Sequence, residues 1–194
     1  MYESSAVPLT MRHRVASDEE ALVQAARDDP AAFGTLYEHY RNRIYAYLRA
    51  RTLSDEDAAD LTQQVFLHAF RALPQYHPQR GAFAPWLFRI ARNAATDAHR
   101  RRKSTVAWDL MPEALQPVAD DDPEAGLLQR ETLYRLRVVL DTYPAATREI
   151  LALRFAAALT IAEIAVVVGK SEAAVKKQLT RVLRALKEHY HEQA

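Results

Sequence analysis

The chain has 194 residues, with 26 Lys and Arg against 25 Asp and Glu and a hydrophobic fraction of 49%, enough for one mid-sized domain or two small ones. It contains no cysteine, which excludes disulfides, zinc–thiolate sites and thiol redox chemistry within it. Four glycines leave little for phosphate-cradling loops or tight hairpins, so the expected class is all-α.

The net charge of +1 conceals strong segregation. Residues 1–88 carry 9 basic and 11 acidic side chains, residues 89–103 carry 6 and 1, residues 104–129 carry 0 and 6, and residues 130–194 carry 11 and 7. Two basic blocks around an acidic one predict two contacts with a polyanion, with the spacer held off it. Ordinary solvated surface explains either basic block alone, but explains the acidic spacer less well.

The N-terminal MYESSAVPLTMRHR lacks the apolar core of a signal peptide, and residues 1–17 read as a flexible tail. Helical spacing starts at Asp18, with Ser17 or Asp18 as cap, and is broken at Asp28-Asp29-Pro30. Phe33, Leu36, Tyr37, Tyr40, Ile44, Tyr47 and Leu48 then recur at three- and four-residue steps, which predicts an amphipathic helix. Ser54 is the expected N-cap of the next helix, with Asp55, Glu56 and Asp57 complementing its dipole, and Pro74 is its expected stop. In that helix Ala58, Thr62, Val65, Phe66 and Ala69 form the expected core face. Asp57, Asp60, Gln63, Gln64 and Leu67 lie opposite, a mixed face that would repel DNA and suits a protein partner.

Residues 74–85 read as a loop. It contains Tyr76, His77, Arg80 and Phe83 and runs into Trp86, a set of aromatic and cationic side chains able to stack on unpaired bases. Simple core packing is an equal reading for Phe83 and Trp86. A third helix is expected from Pro85, placed where its missing N–H costs nothing, to Lys103. Leu87, Ile90, Ala91, Ala94 and Ala98 form its expected buried stripe. Arg89, Arg92 and Arg100 project from the opposite face as a phosphate track, with Asn93 beside them to reach a base edge. Residues 104–129, with three prolines and an Asp run, read as a flexible acidic linker.

Helical spacing resumes at Leu127. The stretch from Phe155 to Val168 is too short to cross a bilayer and is interrupted by Thr160 and Glu163, so no membrane insertion is expected. Thr160-Ile161-Ala162-Glu163 has the form of a capping box. Ile161, Ile164, Ala165 and Val168 give a short helix with one buried face, and Gly169 ends it. Ser171 caps a second helix, apolar at Val175, Leu179, Val182, Leu183 and Leu186. Its other face carries Ala173, Lys177, Thr180, Arg181 and Arg184, with Lys176 on the flank. Capping box, turn glycine and basic face together predict a helix-turn-helix whose second helix enters the major groove. A plain helical hairpin with solvating charges is the weaker reading.

Four segments together, DEDAADLTQQVFLHAFRAL, RGAFAPWLFRIARNAATDAHRRRK, YPAATREILALRF and LTIAEIAVVVGKSEAAVKKQLTRVLRAL, resemble the bacterial RNA polymerase sigma factors of the extracytoplasmic-function (ECF) group. The resemblance covers roughly residues 20–103 and 130–190. It implies two small helical domains, sigma region 2 over 18–103 and region 4 over 130–194, joined by the acidic linker. It further implies that Asp57, Asp60, Gln63, Gln64 and Leu67 dock on core RNA polymerase. Tyr76 to Phe83, including His77 and Arg80, with Trp86 following, would hold a base flipped from the −10 promoter element, while Arg89, Arg92, Asn93 and Arg100 follow the DNA there. Lys176, Lys177, Thr180 and Arg181 would read the −35 element, with Arg184 on a phosphate. The linker would thread towards the polymerase's active-site and RNA-exit channels. Three positions depart from the family pattern. Gln64 replaces a usual glutamate and weakens one docking contact, Pro85 stiffens the start of its helix, and Tyr143 replaces a typical leucine.

The expected function is therefore promoter-specific transcription initiation, as a monomer within the holoenzyme, in the cytoplasm. Core polymerase and promoter DNA are the expected partners, and an anti-sigma protein is common in the group. An operator-binding regulator acting alone is the competing reading, and it would need neither the Leu67 face nor the aromatic loop. No catalytic residue, metal site or cofactor is expected, since HExxH, the Walker lysine motif and GxSxG are all missing from the sequence.

Overall fold

The structure, a computed structural model, describes residues 9–52, 54–105 and 139–191, and these are helical with no strand. Helix α1 spans Leu9–Asp28, starting well before the expected Asp18. This stretch contains neither glycine nor proline, and Ser17 and Asp18 are tolerable helix-interior residues, so nothing stops the helix from extending upstream. It ends where Asp29 accepts a hydrogen bond from the Ala31 N–H (2.9 Å) and Pro30 opens a short 3₁₀ turn.

Helix α2, Phe33–Arg49, buries Leu36, Tyr40, Ile44, Tyr47 and Leu48, largely the stripe its spacing predicts. Helix α3, Asp55–Ala72, is capped by the Ser54 hydroxyl, which accepts from the Asp57 N–H at 3.1 Å. It buries Ala58, Leu61, Thr62, Val65, Phe66 and Ala69, each large apolar member contributing about 1.5–3 kcal/mol. The only buried hydroxyl on that face, that of Thr62, donates to the Ala58 carbonyl at 2.7 Å. A 3₁₀ turn over Leu73–Gln75 closes the helix at Pro74.

Helix α4, Phe83–Thr105, starts two residues before Pro85, and the Trp86 N–H donates back to the Ala82 carbonyl. Pro85 therefore occupies the third helical position, still within the first turn where the N–H has no intrahelical partner. The fully buried stripe is Phe83, Ala84, Leu87, Phe88, Ala91 and Ala95. Ile90, Ala94 and Ala98 are half-buried beside it. The stripe is thus turned towards Phe88 from the expected one, because α4 serves two neighbours at once: α3 on one side and the second helical unit on the other.

That second unit contains α5, Ala145–Leu151, a π turn over Ala152–Ala156, α6, Ile161–Val168, and α7, Glu172–His191. Its core is Ile150, Leu151, Leu153, Ala157, Leu159, Ile164, Ala165, Val167, Val175, Leu179 and Val182. Ala158, between the π turn and α6, has φ of 54°, a left-handed conformation that is costly for a residue with a Cβ. Leu183, expected on the apolar face, is 44% exposed. It lies eight residues after Val175, about 80° round the helix and so at the edge of the stripe. Most of the expected linker, residues 106–129, lies outside the described residues.

The two units pack directly on each other and share one continuous core. The Arg43 guanidinium, stacked over Tyr40 and Phe88, donates from Nε to the Ala157 carbonyl at 2.8 Å.

Candidate nucleic-acid interface

The helix-turn-helix is built as its sequence predicts. The Thr160 hydroxyl accepts from the Glu163 N–H at 3.2 Å, while Glu163 Oε2 accepts from the Thr160 N–H at 2.7 Å. Gly169 has φ of 68° and ends α6 in the left-handed conformation. The Ser171 hydroxyl accepts from the Ala174 N–H at 3.2 Å and so starts α7. Between helices, Gln178 donates from its amide to the Thr147 hydroxyl at 2.8 Å, fixing α7 against α5.

With Val175, Leu179 and Val182 buried, α7 turns Lys176, Lys177, Thr180, Arg181 and Arg184 outward. All five are exposed, and with Ala173 they line one shallow depression. Such a surface offers cations for phosphates and donors for base edges, without an enclosed cavity for a small molecule.

The aromatic loop divides into two layers. Tyr76 and Phe83 are buried, and their rings pack with Trp86 at centroid distances of 5.1–5.5 Å, while Tyr40 lies 5.5 Å from Phe83 on the inner side. Trp86 is half-buried. The Tyr76 hydroxyl donates to the Gly81 carbonyl at 2.9 Å, tying the loop back onto its own aromatic floor. Burial, reinforced by the charges of Glu19 and Glu20, pushes the Tyr76 phenol up to about 12. Gly81 adopts φ 138°, ψ 164°, a region open essentially to glycine alone. In the same loop, His77 and Arg80 are exposed. Core packing is thus what Tyr76 and Phe83 do in this structure.

On α4, Arg89, Asn93 and Arg100 are exposed. Arg92 is engaged instead: its Nε lies 2.9 Å from Glu149 Oε1. The same oxygen lies 3.2 Å from Arg51 Nη1 and accepts the Tyr47 hydroxyl at 3.4 Å. Arg89, Arg92 and Asn93 share a cleft with Val166, Val167, Val168 and Gly169 of the helix-turn-helix. Arg43, Arg51 and Glu149 carry no signal in the sequence, since each is a single charge whose partner is distant along the chain.

On α3, Asp60, Gln63, Gln64 and Leu67 are exposed and Asp57 is half-exposed, accepting the Ser54 hydroxyl at 2.7 Å. Leu67 is 49% exposed. Phe70, 40% exposed and packed edge-on against Phe33 at 5.1 Å, is a further exposed apolar residue of α3 that helical spacing alone does not single out. Among the described residues no group of His, Asp or Glu could hold a metal ion, and no helix is long and apolar enough to cross a membrane.

Two helical units, one of them a helix-turn-helix with a basic outer face and the other with an arginine-bearing helix, define a bipartite DNA-binding protein. Residues 36–105 match Sigma-70 region 2, and residues 133–186 match Sigma-70, region 4. The ECF RNA polymerase sigma factor SigD of Mycobacterium tuberculosis is 31% identical over 176 residues, covering 88% of this chain and 82% of its own. The ECF RNA polymerase sigma factor BldN of Streptomyces coelicolor is 32% identical over 169 residues, covering 86% of this chain and 63% of its own. The solved structure of CnrH in complex with the cytosolic domain of CnrY shares the fold, with a TM-score of 0.68 at 23% identity over 91% of this chain and 99% of that one. The Bartonella quintana sigma factor RpoE, solved with the anti-sigma factor NepR, gives 0.61 at 19% identity over 80% and 94%. The chain belongs to the ECF group of sigma factors, and it directs RNA polymerase in transcription initiation.

Proposed function

We propose that α7 reads the −35 element while the loop over 76–83 and α4 engage and open the −10 element. The observation that carries this reading is the collection of Lys176, Lys177, Thr180, Arg181 and Arg184 on one exposed face of the second helix of a helix-turn-helix. Lys176, Lys177, Thr180 and Arg181 would meet base edges, and Arg184 a phosphate. At the −10 element, the exposed His77 and Arg80 would meet an unpaired base. Tyr76, Phe83 and Trp86 serve as the aromatic floor that holds the loop in shape. Arg89, Arg92, Asn93 and Arg100 track the backbone from α4.

Asp57, Asp60, Gln63, Gln64 and Leu67 would dock on core polymerase, a role suited to an acidic and amide face with an exposed leucine at its C-terminal end. Binding to polymerase brings both DNA modules to their elements together, so that two modest affinities add through effective concentration. Unstacking a base costs a few kcal/mol, recovered from loop and helix contacts. Promoter opening then involves no covalent step, and the protein works in the cytoplasm, where the polymerase is. An anti-sigma protein, the kind of partner bound by RpoE of Bartonella quintana, would act on the same exposed faces.

The test is transcription from a promoter of this factor with core polymerase. Lys177→Ala and Arg181→Ala should each lower open-complex formation by roughly 5- to 150-fold, the worth of a lost base contact of about 1–3 kcal/mol. Leu67→Asp should instead abolish association with core polymerase. Undiminished promoter-specific transcripts from the α7 variants would refute −35 readout by this face.

A further inference from the structure

The turn of the helix-turn-helix carries a cation that the reading of α7 leaves unused. Lys170 follows Gly169 and is exposed. Its backbone is fixed, because Gly169 adopts φ of 68° and the Lys170 N–H donates to the Ala165 carbonyl at 3.0 Å. Its side chain is held as well. The ammonium donates to Gln178 Oε1 at 3.1 Å, and Gln178 Nε2 donates to the Thr147 hydroxyl at 2.8 Å. Thr147 is 7% exposed, so these contacts run from the interior of the unit, through one amide, to a surface cation. An ammonium can only donate, so the amide oxygen faces Lys170 and its nitrogen faces Thr147.

An amide holds an ammonium differently from a carboxylate. It fixes the position without cancelling the charge, and it occupies one of three protons, leaving the others for a second acceptor. The ion pairs among the described residues take up Arg41, Arg49, Arg51, Arg92 and Arg148, and none takes up Lys170.

Position decides what that second acceptor is. At about 100° per residue, Gln178 lies about 60° from Arg181 and about 100° from Lys177 round α7, at the edge where the basic face meets α5. Glu172, the acid of the first turn, lies about 120° from Gln178 on the opposite flank. Ala174, one turn before Gln178, is exposed and uncharged. Lys170 therefore extends the basic face past Arg181, on the side away from Glu172. The centre of a helix in the major groove meets base edges, while its flanks meet the sugar-phosphate backbone.

We propose that Lys170 binds a phosphate at the edge of the −35 element, and that Gln178 is the positioning residue that holds its ammonium there. This rests on the assignment of α7 to the −35 element. The contact adds affinity and register without base preference.

The test measures binding of the full chain, assembled with core polymerase, to a fluorescent promoter fragment and to the same fragment with its −35 bases scrambled. Lys170→Ala should weaken both alike. The wild-type advantage over it should shrink about 3.5-fold between about 50 and about 200 mM salt, the share of one phosphate contact. Lys170→Arg should restore the wild-type salt slope. Gln178→Leu removes no charge, so it should keep that slope while losing roughly two- to fivefold in affinity at each salt concentration. In a Lys170→Ala background the same change should cost nothing further, whereas a structural role through Thr147 would cost the same in both backgrounds. An unchanged slope in Lys170→Ala would overturn the phosphate contact, and additive losses in the double variant would overturn the role of Gln178. Lys177→Ala on the same two fragments separates the levels. If it loses discrimination between them while Lys170→Ala keeps the wild-type slope, the phosphate contact fails and the assignment of α7 stands. If it keeps full discrimination, that assignment fails and the phosphate contact with it.

Discussion

At the scale of single residues, conformations that the sequence does not advertise carry measurable cost. Ala158 holds φ of 54°, so Ala158→Gly should raise stability by about 1 kcal/mol, read as a higher denaturant midpoint at unchanged m-value. A lower midpoint would contradict the strain. Gly81 is the reverse case. At φ 138° with open space around it, Gly81→Ala meets no clash but loses about 1–3 kcal/mol to backbone strain, and it should loosen the loop that Tyr76 ties down. Buried phenols set the alkaline limit. Burial raises Tyr40 and Tyr47, and raises Tyr76 from 10.0 to about 12. Above pH 10 the unfolded chain therefore binds fewer protons than the native one, and stability falls as pH rises from about 10 through 12. Circular dichroism denaturation at pH 7, 9 and 11 should give a nearly constant midpoint over the first interval and a falling one over the second.

At the scale of elements, most of the fold was legible because helix periodicity and capping are local. The α2 stripe, the Ser54 cap and the reciprocal Thr160–Glu163 box all appear in the structure where the sequence puts them. Thr160→Ala should therefore cost about 1 kcal/mol and lower the melting temperature of the helix-turn-helix unit. An unchanged melting temperature would mean that the box is redundant with packing. What failed locally failed for identifiable reasons. The start of α1 lies upstream of the expected one because Ser17 and Asp18 have the form of a cap, yet such residues also fit inside a helix. Phe88 and Leu61 are buried outside the expected stripes because periodicity predicts a stripe's spacing but not its rotation when a helix packs on two neighbours. The aromatic loop shows the same limit: its composition suggests base stacking, and only the fold reveals that Tyr76 and Phe83 are buried while His77 and Arg80 are exposed.

At the scale of the whole molecule, local signals end. Nothing in the spacing links Arg51 and Arg92 with Glu149, or Arg43 with the Ala157 carbonyl, and these contacts depend on how two units dock. The outward faces of α3 and α7 follow from amphipathic pattern alone, whereas the partial occlusion of α4 does not. Function, by contrast, was legible, because the segregated charge, the mixed α3 face and the helix-turn-helix occur in one order along the chain. Family membership agrees with that reading over residues 36–105 and 133–186.

The central claim is that this chain selects promoters through two modules delivered by polymerase. The most direct test adds the full chain to core RNA polymerase and genomic fragments and sequences the transcript starts. Discrete starts absent without the protein, each preceded by a shared −10 and −35 pair and lost with Lys177→Ala and Arg181→Ala, are predicted. Tight binding to duplex operators without polymerase, and no starts from active core with folded protein, would contradict the account.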